Sequence, residues 1–213
     1  MPRGAKLALI GESGSGKSTL LELLAMILMP TRAREFSFSP GAGAPVSDLD
    51  GVWSRRASDA LSELRSRHIG YVLQHGGLLP YLTVRRNIEL PRLLLGLPVG
   101  SVAEDLAGKL GIAQQLDKLP SALSVGQRQR VAIGRALAHE PPIVIADEPT
   151  AAIDPLNARR IMALLIDLVE AYGLTLILAT HAHELVREVG FTLLPHEIEA
   201  SDAQSMTVTV QHG

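Results

Sequence analysis

The feature that most constrains the fold is a glycine-rich turn between a short apolar run and a helical run. Residues 5–10, AKLALI, are typical of a buried strand, GESGSGKST follows at 11–19, and LLELLAMIL at 20–28 is predicted to be helical until Pro30. The turn matches G-x-x-x-x-G-K-[ST] in full and has the strand-then-helix context that this pattern requires. Glycines let backbone N–H groups wrap phosphate oxygens, so the pattern predicts a nucleotide site. The alternative is a flexible turn capped by a helix.

Most residues of this turn have an expected part in such a site. Lys17 is expected to reach the β and γ phosphates, and the hydroxyl of Ser18 to bind Mg²⁺. Further phosphate contacts are expected from the remaining residues of the turn, which are Gly11, Ser13, Gly14, Ser15, Gly16 and Thr19.

Strands and helices alternate along the rest of the chain. The apolar runs PIVIAD at 142–147 and TLILAT at 175–180 are typical of strands covered on both faces, and a helix is predicted between them at about 155–171. HIGYVLQ at 68–74 is another predicted strand, and TVTV at 207–210 a predicted edge strand. This alternation predicts an α/β fold with a mostly parallel core sheet.

The segments between these strands are less regular. Residues 31–52 are rich in Gly, Pro, Ser and Asp, which predicts a loop or an irregular hairpin, and a polar helix is predicted at 54–66. Residues 83–123 are predicted to be mostly helical, with breaks at Pro91, Pro98 and Pro120.

Composition narrows the classes of function. The net charge of −2 argues against broad nucleic-acid binding, which needs a concentrated basic surface. The absence of cysteine excludes disulfides and thiolate metal sites. The longest apolar run, at 20–29, is too short to cross a bilayer and contains Glu22, and no signal-peptide pattern opens the chain. We therefore expect a soluble protein, or one that another subunit holds at a membrane.

Two adjacent carboxylates end the strand IVIAD. Asp147 is expected to hold Mg²⁺ through its water shell, and Glu148 to polarise the water that attacks the γ-phosphate. Adjacent carboxylates at a strand end can also cap the next helix, but the phosphate turn upstream favours the catalytic interpretation.

Gln74 and His181 each follow a predicted strand, and the carboxyl ends of strands in open α/β sheets converge on the ligand crevice. The run HAHE at 181–184 does not predict a metal site, because histidines two residues apart do not share a helix face. The stretch LSVGQ at 123–127 contains a capping-box pattern, Ser124 with Gln127, ahead of a helical run. A helix start with free N–H groups can bind an anion.

Together these motifs resemble those of the nucleotide-binding subunits of ABC transporters. The phosphate turn, Gln74, LSVGQ, IVIADE, AAID at 151–154 and His181 occur in that family's order from residue 4 to about 190. The resemblance implies a single domain over 1–213, an α/β P-loop NTPase. Its RecA-like core would occupy 1–75 and 128–213, with an inserted α-helical subdomain at about 76–127 and a truncated antiparallel β lobe.

The same resemblance implies a homodimer, or a paired ATPase subunit, that closes head-to-tail around two ATP molecules. One protomer's signature residues would then face the γ-phosphate on the other protomer; these are Ser124, Gly126 and Gln127. Asp154 would organise the dimer contact, Gln74 would sense Mg²⁺ and relay to a membrane partner, and His181 would contact the γ-phosphate across from Glu148.

The implied function is ATP hydrolysis with ATP and Mg²⁺, driving separate permease subunits from the cytoplasmic face of the inner or plasma membrane, with no nucleic-acid partner. Residues 71–91 resemble the branch that includes lipoprotein-release and macrolide-efflux ATPases. Residues 78–82 would then lie near the groove for a permease's coupling helix, although a satellite core under the helical lobe explains them equally well.

Three departures from the family pattern carry expectations of their own. Val125 replaces the first signature glycine, AAID replaces the commoner S-A-L-D, and no aromatic residue precedes Gly11. The lack of an aromatic residue before Gly11 predicts a weakened platform for adenine, poor selectivity for ATP over GTP and a β lobe without its outer strands. Two alternative functions stay open: a regulatory nucleotide-binding module with impaired turnover, and a soluble ABC-type ATPase that acts on DNA or ribosomes.

Overall fold

The core of the computed structural model is a five-stranded sheet with helices on both faces. The described residues are 4–12, 14–32, 35–39, 46–54, 58–151, 153–194, 196–202 and 205–210. Within them the strands are β1 Lys6–Ile10, β2 Ser37–Phe38, β3 Ser47–Asp48, β4 Ile69–Val72, β5 Ile143–Asp147, β6 Thr175–Thr180, β7 Thr192–Leu193, β8 His196–Asp202 and β9 Ser205–Val210. The large sheet has the order β4-β5-β6-β1-β7. All its neighbours run parallel, which confirms the predicted α/β class.

The helices lie between these strands along the chain, singly or in groups of two and three. They are α1 Lys17–Leu24, α2 Leu49–Ser54, α3 Ser58–His68, α4 Val84–Leu94, α5 Val102–Lys109, α6 Val125–Leu137, α7 Pro155–Ala171 and α8 His183–Glu188, with short 3-10 turns at Ala113–Gln115 and Pro120–Ala122. Helix α7 occupies the predicted residues 155–171. No helix in the described part of the chain is long and apolar enough to cross a bilayer.

Successive side chains of the central strands point to opposite faces of the sheet, so each strand contributes residues to two hydrophobic cores. Ala8 of β1 and Leu178 of β6 lie in the larger core with α4, α5, α6 and α7. Leu9 of β1 and Ile177 of β6 lie in the smaller core with α1 and α3. Because both faces are covered, these strands read as continuous apolar runs in the sequence.

Helix α6 continues without interruption from the inserted helical region into the larger core. Ile88 of α4, Leu110 after α5 and Ile133 of α6 are all essentially buried in that core. The boundary expected at residues 127 and 128 falls inside this helix.

Two details of the predicted elements are wrong. Helix α1 ends at Leu24 rather than at residue 28, because Met26 is buried with a left-handed φ of 58° and its carbonyl accepts a hydrogen bond from Arg65 at 2.8 Å. Pro91 lies inside α4 and does not break it. The polar helix predicted at 54–66 is seen as α3, Ser58–His68, and residues 55–57 lie outside the described residues.

The antiparallel pairs lie outside the core sheet. β2 and β3 form a pair of two-residue strands within the segment predicted as an irregular hairpin. The TVTV run belongs to β9, which pairs with β8 in a separate two-stranded sheet and does not edge the core sheet.

Candidate functional site

The phosphate turn follows β1 directly and ends where α1 begins. Gly14 and Gly16 have φ values of 82° and 74°, the left-handed region that glycine adopts without strain. Ser13, another residue predicted to contact phosphate, lies outside the described residues. The bend brings consecutive N–H groups to the start of α1, where the helix dipole favours an anion.

Lys17 lies inside the turn. The side chain is 5% exposed, and Nζ donates to the carbonyls of Gly11 and Glu12 at 2.7 Å each. Ser15 Oγ lies 3.5 Å from the same nitrogen. Backbone carbonyls of the turn therefore bind the buried ammonium group of Lys17, at the position where the motif requires a contact with phosphate.

A cleft of about 380 Å³ opens beside Lys17 and gathers half of the predicted site residues. Its lining residues are Gly14, Gly16, Lys17, Ser18, Thr19, Gln74, Glu148, Ala151 and His181. These come from the turn, from the ends of β4, β5 and β6, and from the segment after Glu148. Of these residues, only Ala151 was not predicted as a site residue, and its small side chain gives no chemical signal in the sequence.

Glu148 is the polar centre of this cleft. Its Oε2 lies 2.9 Å from Nδ1 of His181, and its Oε1 lies 3.8 Å from Nζ of Lys17. Glu148 has a left-handed φ of 44°, and its N–H donates to the carbonyl of Ala179 at 2.9 Å. Such strained non-glycine backbone clusters at functional sites. The carboxylate is only 14% exposed, whereas His181 is 63% exposed.

Asp147 precedes Glu148 and has a buried oxygen that needs a partner. Its Oδ1 makes no hydrogen bond to any described atom. An unpartnered buried carboxylate oxygen is costly unless a cation or water completes it, so this residue fits a divalent cation. The oxygens of Ser18 and Gln74, which line the cleft, are of the kind that Mg²⁺ prefers. No group of three or more His, Cys, Asp or Glu that could hold a metal occurs among the residues that the structure describes.

The predicted capping box forms at the start of α6. The N–H of Gln127 donates to Ser124 Oγ at 3.3 Å, and the N–H of Ser124 donates to Gln127 Oε1 at 2.9 Å. Val125, between the cap and Gly126, is 44% exposed. The box leaves the N–H groups of Val125 and Gly126 without a place in the helix ladder, so they can bind an anion.

These signature residues lie in a second cleft of about 380 Å³. Its lining residues are Gly111, Ser124, Val125, Gly126, Gln127, Arg130, Ile153, Asp154, Asn157 and Ile161, and none of them lines the first cleft. Ala152, within the AAID run, lies outside the described residues. Within one chain, the structure therefore does not bring Ser124, Gly126, Gln127 or Asp154 to the phosphate turn.

Asp154 caps α7 at the edge of the second cleft. It accepts from the N–H of Asn157 at 3.1 Å and from Asn157 Nδ2 at 2.8 Å, and these bonds lower the pKa of Asp154. Arg130 and Asn157 also line this cleft, although no sequence motif predicted them. Arg130 could have been found, since it follows Gly126 by four residues and so shares its helix face.

A family model described as ABC transporter matches residues 1–151 of the chain. A lipoprotein-releasing system ATP-binding protein, LolD 1 of Rhodospirillum rubrum, is 38% identical over 190 residues, which are 87% of this chain and 79% of the relative.

Two solved structures are similar throughout most of the chain. The ATP-binding cassette MJ0796, as a post-hydrolysis dimer bound to ADP and Pi, has a TM-score of 0.75 at 33% identity, covering 91% of this chain and 82% of that one. CbiO1 from Clostridium perfringens, part of the ABC transporter complex cbiONQ, has a TM-score of 0.74 at 31% identity, covering 91% of this chain and 74% of that one.

Proposed function

Because the chain belongs to the ABC transporter family and is an ATP-binding and ATP-hydrolysing subunit of such a transporter, we propose that the first cleft is its catalytic site, with Glu148 as the general base. The observation that carries this proposal is the close approach of three side chains beside the phosphate turn. Oε1 of Glu148 lies 3.8 Å from Nζ of Lys17, and Oε2 of Glu148 lies 2.9 Å from Nδ1 of His181. Glu148 is buried enough to be oriented, and it faces the space where a γ-phosphate would lie.

Each residue of the site has a distinct part. Lys17 exchanges its turn carbonyls for phosphate oxygens, which reduces the cost of bringing the nucleotide's charge into the cleft. Glu148 accepts a proton from the attacking water, and His181 holds the carboxylate and contacts the γ-phosphate. The backbone N–H groups of the turn and Thr19 bind the other phosphates.

Mg²⁺ fits the oxygen donors at this site, because Asp147 has the unpartnered buried oxygen described above. Ser18, Gln74 and Asp147 are the residues that would hold it. When bound, Mg²⁺ neutralises charge on the phosphates and on the leaving group.

The second cleft is best explained by a second protomer. Ser124, Gly126 and Gln127 present helix-start donors to solvent, and no described residue of their own chain's phosphate turn lines that cleft. We infer a head-to-tail homodimer, or a pair with a related subunit, in which these donors bind the γ-phosphate on the partner and Asp154 orders the contact. The dimeric state of MJ0796, a relative at 33% identity, supports this inference.

Membrane permease subunits are the other partners that we propose, with the subunit on the cytoplasmic face and no nucleic acid bound. Tyr81 is 73% exposed and Leu94 is 77% exposed, and both lie in the helical region that we assign to 76–127. Leu78 is half buried against the larger core, so its side chain has a structural role there. The similarity to LolD 1 supports a branch that includes lipoprotein release.

The deciding experiment replaces Glu148 by Gln. We expect turnover of ATP to fall by about 10²–10⁴-fold, the usual contribution of a general base, while ATP binding is kept. Steady-state hydrolysis and equilibrium binding of a fluorescent ATP analogue measure the two effects. Glu184→Gln, at an exposed position of α8, is the matched control and should leave both unchanged. Undiminished hydrolysis by Glu148→Gln would exclude this role.

A further inference from the structure

The segment that carries Gln74 is held on both sides by side chains of α6. Gln129 is 3% exposed and donates from Nε2 to the carbonyl of Leu73 at 3.3 Å. Arg135 donates from Nη1 to the carbonyl of Gly77 and from Nη2 to the carbonyl of Gly76, both at 2.8 Å. Gln74 therefore lies between one anchored carbonyl before it and two after it.

The paired glycines make the second anchor possible. Gly76 and Gly77 have φ values of 73° and 55°, so two consecutive residues are left-handed. A Cβ on Gly77 would lie 2.5 Å from Cδ1 of Leu73, which must shift to admit it. The resulting bend aims two neighbouring carbonyls at the fork of one planar guanidinium.

Arg135 depends on these carbonyls for its stability. The side chain is half buried, and burial lowers the pKa of its guanidinium. None of the ion pairs formed within the described parts of the chain includes Arg135. The charge is therefore compensated by backbone dipoles, and hydrogen bonds to charged groups are stronger than neutral ones.

We propose that Gln129 and Arg135 are positioning residues for Gln74, which fix the segment 73–77 so that the amide of Gln74 faces the phosphate cleft. Ser124 caps the start of α6, so Gln129 and Arg135 also tie the segment 73–77 to the helix that carries the signature residues. A shift of this helix would therefore move the segment with it. The effect on catalysis rests on the proposed function, because the contact of Gln74 with Mg²⁺ belongs to it.

The test is the Mg²⁺ requirement of ATP hydrolysis in Arg135→Met. We expect the Mg²⁺ concentration for half-maximal rate to rise about tenfold, because the variant loses both charged hydrogen bonds to Gly76 and Gly77 and so holds Gln74 less well, with a lower kcat and a nearly unchanged KM for Mg·ATP. Arg135→Lys keeps the charge and one donor and should recover part of the loss. A role in folding alone would not move this requirement.

The matched control is Arg92→Met. Arg92 also donates to two backbone carbonyls, those of Pro98 at 2.7 Å and Ala138 at 3.0 Å, but it does not touch the segment 73–77. Its replacement should leave the Mg²⁺ requirement unchanged. If Arg135→Met does not fold, Gln129→Met, which removes only the Leu73 bond, decides the question in the same assay.

Gln74→Ala separates this proposal from the proposed function. A raised Mg²⁺ requirement in Gln74→Ala together with unchanged values in Arg135→Met and Gln129→Met would overturn the positioning role. An unchanged requirement in Gln74→Ala would instead contradict the assigned role of Gln74. In that case, hydrogen exchange of amides 74–78 tests whether Arg135 fixes the segment. The proposal predicts faster exchange of these amides in Arg135→Met, and exchange at the parent rate would refute it.

Discussion

Three side chains among the described residues bury polar atoms without partners: Trp53, Asp147 and His139. Asp147 and His139 call for different explanations. Asp147 directly precedes Glu148 of the first cleft, and the proposed Mg²⁺ would complete its oxygen. His139 lies away from that cleft, in a cavity of about 210 Å³ between β4, α4 and α6 that Leu90, Leu94 and Arg135 also line. Both of its ring nitrogens are buried, and neither makes a hydrogen bond of normal geometry to a described atom. Burial lowers the pKa of His139 to about 4; the charges of Arg92 and His68 act in the same direction, and a weak interaction with the backbone of Ile69 opposes them.

His139 should therefore make the folded state sensitive to acid. The unfolded chain binds a proton near the ordinary pKa of 6.5, whereas the folded chain resists it until about 4. Stability is kept above pH 6.5 and is lost as the pH falls through that window, by up to about 3 kcal/mol. His139→Leu should flatten the dependence between pH 6.5 and 4, measured as the free energy of unfolding in urea. Parallel curves for parent and variant would show that His139 does not cause the loss.

At the scale of elements, Gly70 is the described glycine with the least room for a side chain, and it lies where β4 packs against α6. A Cβ on Gly70 would lie 2.1 Å from the carbonyl oxygen of Ala136, so the strand and the helix backbone meet with no room for a side chain. The same helix begins at the signature cap and carries Gln129 and Arg135. Helix α6 is therefore the element that relates the two clefts within one chain.

This close packing predicts opposite outcomes for two glycine replacements. Gly70→Ala should destabilise the protein by more than about 3 kcal/mol, because backbone must move. Gly108→Ala, in α5 with no described atom within 4 Å of the new Cβ, should stabilise it by about 0.5–1 kcal/mol through helix propensity. Denaturant unfolding of both variants measures the difference. Equal values for the two would contradict the close contact between β4 and α6.

For the whole molecule, the two clefts are separate. The helix-start donors and the phosphate turn line different clefts of one chain, and in the proposed dimer the second chain would bring them together. The proposed dimer would cover the exposed Val125 and the 62% exposed Leu156 beside Asp154.

The solution mass of Glu148→Gln should consequently double when Mg·ATP is added. Ser124→Arg in that background should abolish the shift, because it replaces the cap and fills the second cleft with a large side chain. Ala171→Arg, at the exposed far end of α7, controls for added charge and should dimerise normally. Light scattering after size exclusion gives both masses. A monomer that binds ATP but never dimerises would contradict closure of the isolated subunit.

The sequence by itself determined the parts of this protein that depend on neighbouring residues. The phosphate turn, the strands at 143–147 and 175–180, helix α7 and the capping box of Ser124 follow from local patterns of glycine, apolar and polar residues. The order of the motifs then identified Gln74, Glu148 and His181, which the fold brings to one cleft.

Tertiary structure alone decided the features that join distant segments. The early end of α1 depends on a buried Met26 and on Arg65. The anchors of Gln74 depend on Gln129 and Arg135, more than fifty residues along the chain. Nothing in the local sequence marks such contacts, since hydrogen bonds to backbone carbonyls leave no residue pattern at the accepting segment. Only packing of α6 against β4 brings the donors within reach.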